Sequence, residues 1–170
     1  MYIKNINMYL NNLCKLPVTS IGRASDMLWI GFGDNIPCTN YRGVLVNRPE
    51  MALHVQAPWR IVSDNSILLT QSDIYQPKEY KQDNGSFCWD VQGCNRFDEN
   101  AGSWLADRTP LYPEAWEISS CFDLRITFKN QDKLEIFSLT TDESECWRIL
   151  CPSQDLGHLV CYGKQISIEE

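Results

Sequence analysis

Between Leu53 and Ile61 the apolar residues fall on one parity. Leu53, Val55, Ala57, Trp59 and Ile61 share it, and His54, Gln56 and Arg60 share the other. A helix cannot carry this pattern, because its apolar positions recur every three or four residues. A strand with one face on a core and one on solvent produces it, as antiparallel sheets do. Residues 52–62 are therefore predicted as a strand, with Pro58 marking an edge or a bulge because it donates no ladder hydrogen bond. Leu28, Ile30 and Phe32 repeat the alternation in residues 27–33, and Gly33, Asp34 and Asn35 then read as a turn. Residues 37–50 look irregular, apart from a short apolar run at Val44, Leu45 and Val46.

The clearest hairpin covers residues 122–136. Phe122, Leu124, Ile126 and Phe128 alternate with Asp123, Arg125 and Thr127, and after a turn at 129–132 Leu134 and Ile136 flank Glu135. Leu124, Ile126 and Leu134 belong in the core on this parity. Further strands are expected over 66–75, 145–150 and 158–168, and the polar stretch 76–86 reads as an exposed loop. Two segments have helical spacing instead. Ile3, Ile6, Leu10 and Leu13 form one stripe ahead of Pro17, and Phe97, Ala101, Trp104 and Leu105 form another within 95–108. The expected class is mainly β (α+β): an antiparallel sandwich, an open barrel or a strongly bent sheet with one or two flanking helices. No repeat or linker divides the 170 residues, which make a single domain over 1–170.

Charge narrows the function classes. Lys and Arg number 15 against 22 Asp and Glu, a net charge of −7. A broad basic face for nucleic acid or for anionic lipid is therefore not expected. No apolar run reaches the roughly 18 residues that span a bilayer. Asn5, Asn7, Asn11 and Asn12 interrupt any apolar leader, so the expected location is the cytoplasm. Structural zinc sites pair cysteines with two to four residues between them, and the eight cysteines meet that spacing only at its edge. Cys146 and Cys151 come nearest, and reduced thiols acting as small hydrophobes are expected, with no cofactor and no metal.

Nucleophile elbows, phosphate loops and paired-histidine motifs are absent from the sequence, and His54 and His158 are the only histidines. The densest polar and aromatic stretch is residues 87–100. As a binding loop it would use Trp89 for contact area and Asp90, Arg96, Asp98 and Glu99 for charge selectivity. As a structural segment it would bury Trp89 and Phe97, cap a helix with Asn95 and place Asp98 in its first turn. Trp59 lies on the core parity of its strand, whereas Trp29 falls opposite Leu28 and Ile30 and faces a second layer, a ligand or a partner.

Four blocks, MLWIGFG at 27–33, LHVQAPWRIV at 53–62, WDVQGCNRFDE at 89–99 and ECWRIL at 145–150, resemble blocks in small uncharacterised single-domain bacterial proteins. Some of those proteins sit beside toxin genes and are suspected immunity proteins. The resemblance implies a non-enzymatic binding protein, such as an immunity-like inhibitor of a basic partner, and complementary charge would steer that association. The alternative is a small β-rich enzyme or small-ligand binder with a carboxylate-lined pocket.

Overall fold

The computed structural model describes residues 2–40, 42–78, 87–152 and 157–169. Helix α1 (Tyr2–Leu13) leads into three strands, β1 (Val18–Ala24), β2 (Met27–Thr39) and β3 (Leu45–Val55). The chain then crosses to a second layer with β4 (Trp59–Ser63), β5 (Ser66–Thr70), a 3-10 turn (Gln71–Tyr75), α2 (Arg96–Ala106), β6 (Pro113–Ile118), β7 (Leu124–Phe128) and β8 (Lys133–Ile136). It returns to the first layer for β9 (Glu145–Leu150), β10 (His158–Tyr162) and β11 (Gln165–Glu169). The strand orders are β1-β2-β3-β9-β10-β11 and β5-β4-β8-β7-β6, with antiparallel pairing throughout the two ladders. Among the described residues neither sheet closes on itself. The architecture is a mainly β sandwich with two helices, as the alternation implies.

One hydrophobic cluster fills the space between the layers. Leu28, Ile30, Phe32, Leu53, Val55, Trp147, Ile149 and Leu159 enter it from the first sheet, and Trp59, Ile61, Leu69, Leu124, Ile126, Phe128, Leu134 and Ile136 from the second. The single strand expected over 52–62 is two strands, one in each sheet. Gln56, Ala57 and Pro58 form the corner, where the amides of Gln56 and Ala57 both donate to the Cys146 carbonyl. Parity survives the corner because both strands face the same core. Pro58 sits where the ladder is interrupted, which suits a residue without an N–H.

Four other expectations are corrected. Gly33, Asp34 and Asn35 are not a turn: β2 runs through them, with a register shift between Phe32 and Asn35. Gly33 takes φ +78° there, and a Cβ on it would lie 2.6 Å from a Glu50 carboxylate oxygen. A bulge at a glycine imitates a turn in sequence because both need positive φ. Residues 37–39 and 45–50 are accordingly not irregular but belong to the paired strands of a β2–β3 hairpin. The strand expected over 158–168 is the β10–β11 hairpin, folded so that Tyr162 opposes Gln165. In 66–75 only the first half is extended, and the rest is the 3-10 turn. Strands β1 and β6 carry too little alternation to be read from sequence. Part of the loop at 76–86, residues 79–86, lies outside the described residues, as does the Ile3 side chain.

The two helices bridge separate places. In α1, Tyr9, Leu10 and Leu13 are buried. Asn11 Oδ1 accepts from Trp116 Nε1 of β6 at 2.9 Å, and the Tyr9 hydroxyl donates to the Gly157 carbonyl at 3.0 Å. Helix α2 packs on β1, β5 and the 3-10 turn. Its Trp104 donates Nε1 to the buried Asp132 at 3.1 Å, and Arg108 donates to the same carboxylate at 2.5 Å.

The hairpin β7–β8 matches its predicted parity, with Ile126 fully buried and Arg125 exposed. Ile126→Ala is expected to cost roughly 2–5 kcal/mol, and Arg125→Ala well under 1 kcal/mol. Urea unfolding of both variants checks this, and equal losses would contradict the register.

Candidate functional site

Residues 88–95 and the start of α2 form an internally bonded unit around Arg23 of β1. The Arg23 guanidinium meets the Asp98 carboxylate through two hydrogen bonds of 2.8 and 2.9 Å, and it also donates to the carbonyls of Val91 and Ser25. Their side chains are 1% and 5% exposed. Asp98 further accepts from the Gly93 amide at 2.7 Å. Asn95 caps α2 by accepting from the Asp98 amide at 2.9 Å, and its own amide group holds the Trp89 carbonyl. Burial alone would raise the Asp98 pKa; the Arg23 and Gly93 hydrogen bonds outweigh it and hold the carboxyl below its usual range.

The five sequence-predicted residues are therefore split. Asp98 is committed inward. Arg96 lies 3.7 Å from Asp73, and Trp89 packs at 5.1 Å on Tyr75. Asp90 and Glu99 face solvent. Asp98 cannot act by exposed charge, so a contact surface here would consist of Asp90, Glu99 and the outer edge of the Trp89–Tyr75 pair.

Sequence reading treated His54 and His158 separately; the fold brings them together on the outer face of the six-stranded sheet. Trp29 of β2 opposes His54 of β3, and His54 opposes Arg148 of β9. Trp29 packs against Gly22 of β1, where a Cβ would be 2.3 Å from its ring. His158 Nδ1 is 3.3 Å from Arg148 Nη1. Glu145 accepts from Arg148 Nε at 2.7 Å and pairs a second time with Nη2, while Glu169 stands 3.9 Å from Nη2 and holds the Tyr162 hydroxyl. Burial, and then the Arg148 charge, lower the pKa of both imidazoles. At neutral pH this face offers two uncharged imidazoles beside a guanidinium balanced by carboxylates. Only the shared outward parity of His54 and Arg148 hinted at the cluster in sequence.

This arrangement predicts an acid sensitivity. Both folded-state histidine pKa values lie below the unfolded value of about 6.5, so the unfolded chain takes up protons first as pH falls. Stability linked to the neutral imidazoles is complete above about pH 6.5 and is lost below it. Denaturant midpoints measured between about pH 7.5 and 5 should fall in the wild type and fall less in His54→Gln and His158→Gln.

A third feature is a groove of about 400 Å³ at one end of the five-stranded sheet, lined by Glu117, Ser119, Asp123, Arg125, Glu135 and Phe137 among others. Arg60, Glu135, Arg125 and Glu117 oppose one another in turn across β4, β8, β7 and β6. Glu135 bridges Arg60 at 2.6 Å and Arg125 at 3.2 Å, and Arg125 reaches Glu117 at 3.1 Å. Arg60 also stacks over Phe137. Glu117 ends this row 72% exposed. Asp123 is held by the Ser119 hydroxyl and the Ser138 amide.

Cys146, Cys151 and Cys161 are buried, whereas Cys88, Cys94 and Cys121 are exposed. Burial pushes the Cys151 thiol up to about 11 and the Cys161 thiol to about 12, so these two are poor nucleophiles. Among the described residues no group of three or more His, Cys, Asp and Glu is placed to hold a metal ion, and no helix is long and apolar enough to cross a membrane.

These elements define a two-layer antiparallel β-sandwich. No family model, curated protein or solved structure matches the chain.

Proposed function

We propose that this is a non-enzymatic interaction protein of the bacterial cytoplasm, an immunity-like inhibitor that binds a basic protein rather than nucleic acid. The observation that supports this most is the groove on the five-stranded sheet, which three carboxylates, one guanidinium and Phe137 help to line. The exposed Glu117 at the end of the row supports a contact with a lysine or arginine of a partner. The net charge of −7 adds a long-range attraction of the same sign.

The test is calorimetry and stopped-flow association with candidate basic proteins drawn from the neighbouring genes. Glu117→Gln leaves the core untouched. It should slow association and flatten its salt dependence, since an exposed charge acts mainly through screened steering. Unaltered association rates in Glu117→Gln would remove the groove from the interface. Absence of binding by the wild type would overturn the reading.

A further inference from the structure

The row of alternating charge on the five-stranded sheet stops at an edge. Arg60, Glu135, Arg125 and Glu117 oppose one another across β4, β8, β7 and β6, and β6 is the last strand. The order is plus, minus, plus, minus, so a further strand would continue it with a cation. β6 itself carries Glu114 and Glu117 and no basic residue. Both carboxylates are exposed, Glu117 by 72%.

The ladder also fixes which backbone groups of β6 are on offer. Ser119 donates its amide to the Asp123 carbonyl. In an antiparallel pair, hydrogen-bonded and non-hydrogen-bonded rungs alternate. Counting back from that rung, Glu117–Arg125 and Ala115–Thr127 are bonded, whereas Ile118–Leu124 and Trp116–Ile126 are not. The N–H and C=O groups of Trp116 and Ile118 therefore point to the open edge. Among the described residues no other backbone group bonds them, and helix α1 holds Trp116 by its ring, through Asn11. The side chains of Trp116 and Ile118 lie on the core side of the sheet, half-buried against the hydrophobic cluster.

An antiparallel strand added here would bond Trp116 and Ile118. It would place one residue opposite Glu117 in a non-hydrogen-bonded rung, where side chains come closest. Opposite charges on such a rung attract and like charges repel. A second copy of β6 would bring carboxylates against carboxylates, so the charges that guard this edge against its own copy select a basic strand.

We propose that β6 takes its partner by strand addition. An extended segment of a basic protein pairs antiparallel with the β6 edge, with a lysine or arginine opposite Glu117. Apolar residues on either side of that cation cover the exposed parts of Trp116 and Ile118. This rests on the reading of the protein as a binder of a basic partner, and it names the segment that is bound.

Nuclear magnetic resonance of the isotope-labelled full chain tests it. The probe is a capped heptapeptide of alternating valine and lysine at up to about 1 mM, the weak end of specific binding. It should bind saturably, shift the Trp116 and Ile118 amides and slow their hydrogen exchange. The same peptide with glutamate for lysine, or with N-methyl groups on the amides that face β6, should bind at least about tenfold more weakly. Glu117→Lys, with unchanged near-UV circular dichroism, should lose the lysine peptide and gain the glutamate one. Equal binding of the N-methylated peptide overturns strand addition, since charge alone then holds the peptide. No binding of the lysine peptide, or shifts only at residues away from β6, overturns it as well. In those cases the wider reading stands if a basic protein still associates and Glu117→Gln slows it. Peptide binding without any basic protein partner supports strand addition and overturns the wider reading.

Discussion

Asp98→Ala is expected to destabilise the protein by about 3–5 kcal/mol, because it strands the Arg23 guanidinium without its carboxylate in a buried site. That is a large share of the roughly 5–15 kcal/mol that holds an ordinary domain together. The loss should exceed that of a missing helix cap, about 1 kcal/mol, since α2 keeps its Asn95 cap. Arg23→Met with Asp98→Leu should recover most of it, as apolar replacements of buried ion pairs often do. Urea denaturation of the three variants measures both steps. If Asp98→Ala costs under about 1 kcal/mol, the pair behaves as an exposed one. The pair also has a pH signature. The folded Asp98 carboxyl titrates below its unfolded value of about 3.9. Its stability is therefore complete above about pH 4 and is lost as pH falls through the folded pKa.

The second large effect is expected at Trp147, the largest fully buried side chain. Trp147→Ala should cost about 3–5 kcal/mol through lost burial and the cavity left behind. Its Nε1 donates to the Phe122 carbonyl at 3.1 Å, and the Ser138 hydroxyl donates to the same oxygen at 2.9 Å. Phe122 belongs to the β6–β7 connection of one layer and Trp147 to β9 of the other, so this bond pins the sheets together. Trp147→Phe keeps most of the apolar volume and loses the bond. It should cost distinctly less than the alanine change, and thermal unfolding of the pair separates packing from hydrogen bonding.

What the sequence revealed follows a physical line. Strands that show one face to the core and one to solvent were legible, because parity is a local property: Leu53 to Ile61 and Leu124 to Ile136 behave as their alternation says. Long-range choices were not. Nothing local tells that the chain changes layers at Pro58, since the buried parity is the same on both sides. Nor does anything local distinguish the bulge at Gly33 from a turn. The site was harder still. Asp98 looks like one carboxylate in an acidic run until Arg23, 75 positions away, is placed against it. His54 and His158 share a cluster only because β3 and β10 both flank β9. Asn95 and its cap were legible for the opposite reason, since a cap is completed within four residues.

The order of the first sheet has a consequence for the way the chain is made. β1-β2-β3 and β9-β10-β11 are each local meanders, and they join only along β3–β9, with Val55 opposite Trp147. The whole second layer lies between them in sequence. At about 5–20 residues per second, a ribosome exposes the β3 edge for roughly 5–18 seconds before its neighbour exists. That edge carries Leu53 and Val55, both destined for the core. The nascent chain therefore spends seconds with an unpaired apolar strand, which is the form that chaperones capture and that pairs wrongly between chains. Pairings this distant also make sheet closure a late and slow event. The β3–β9 seam is thus the place where synthesis speed and chaperone supply set the yield of native protein.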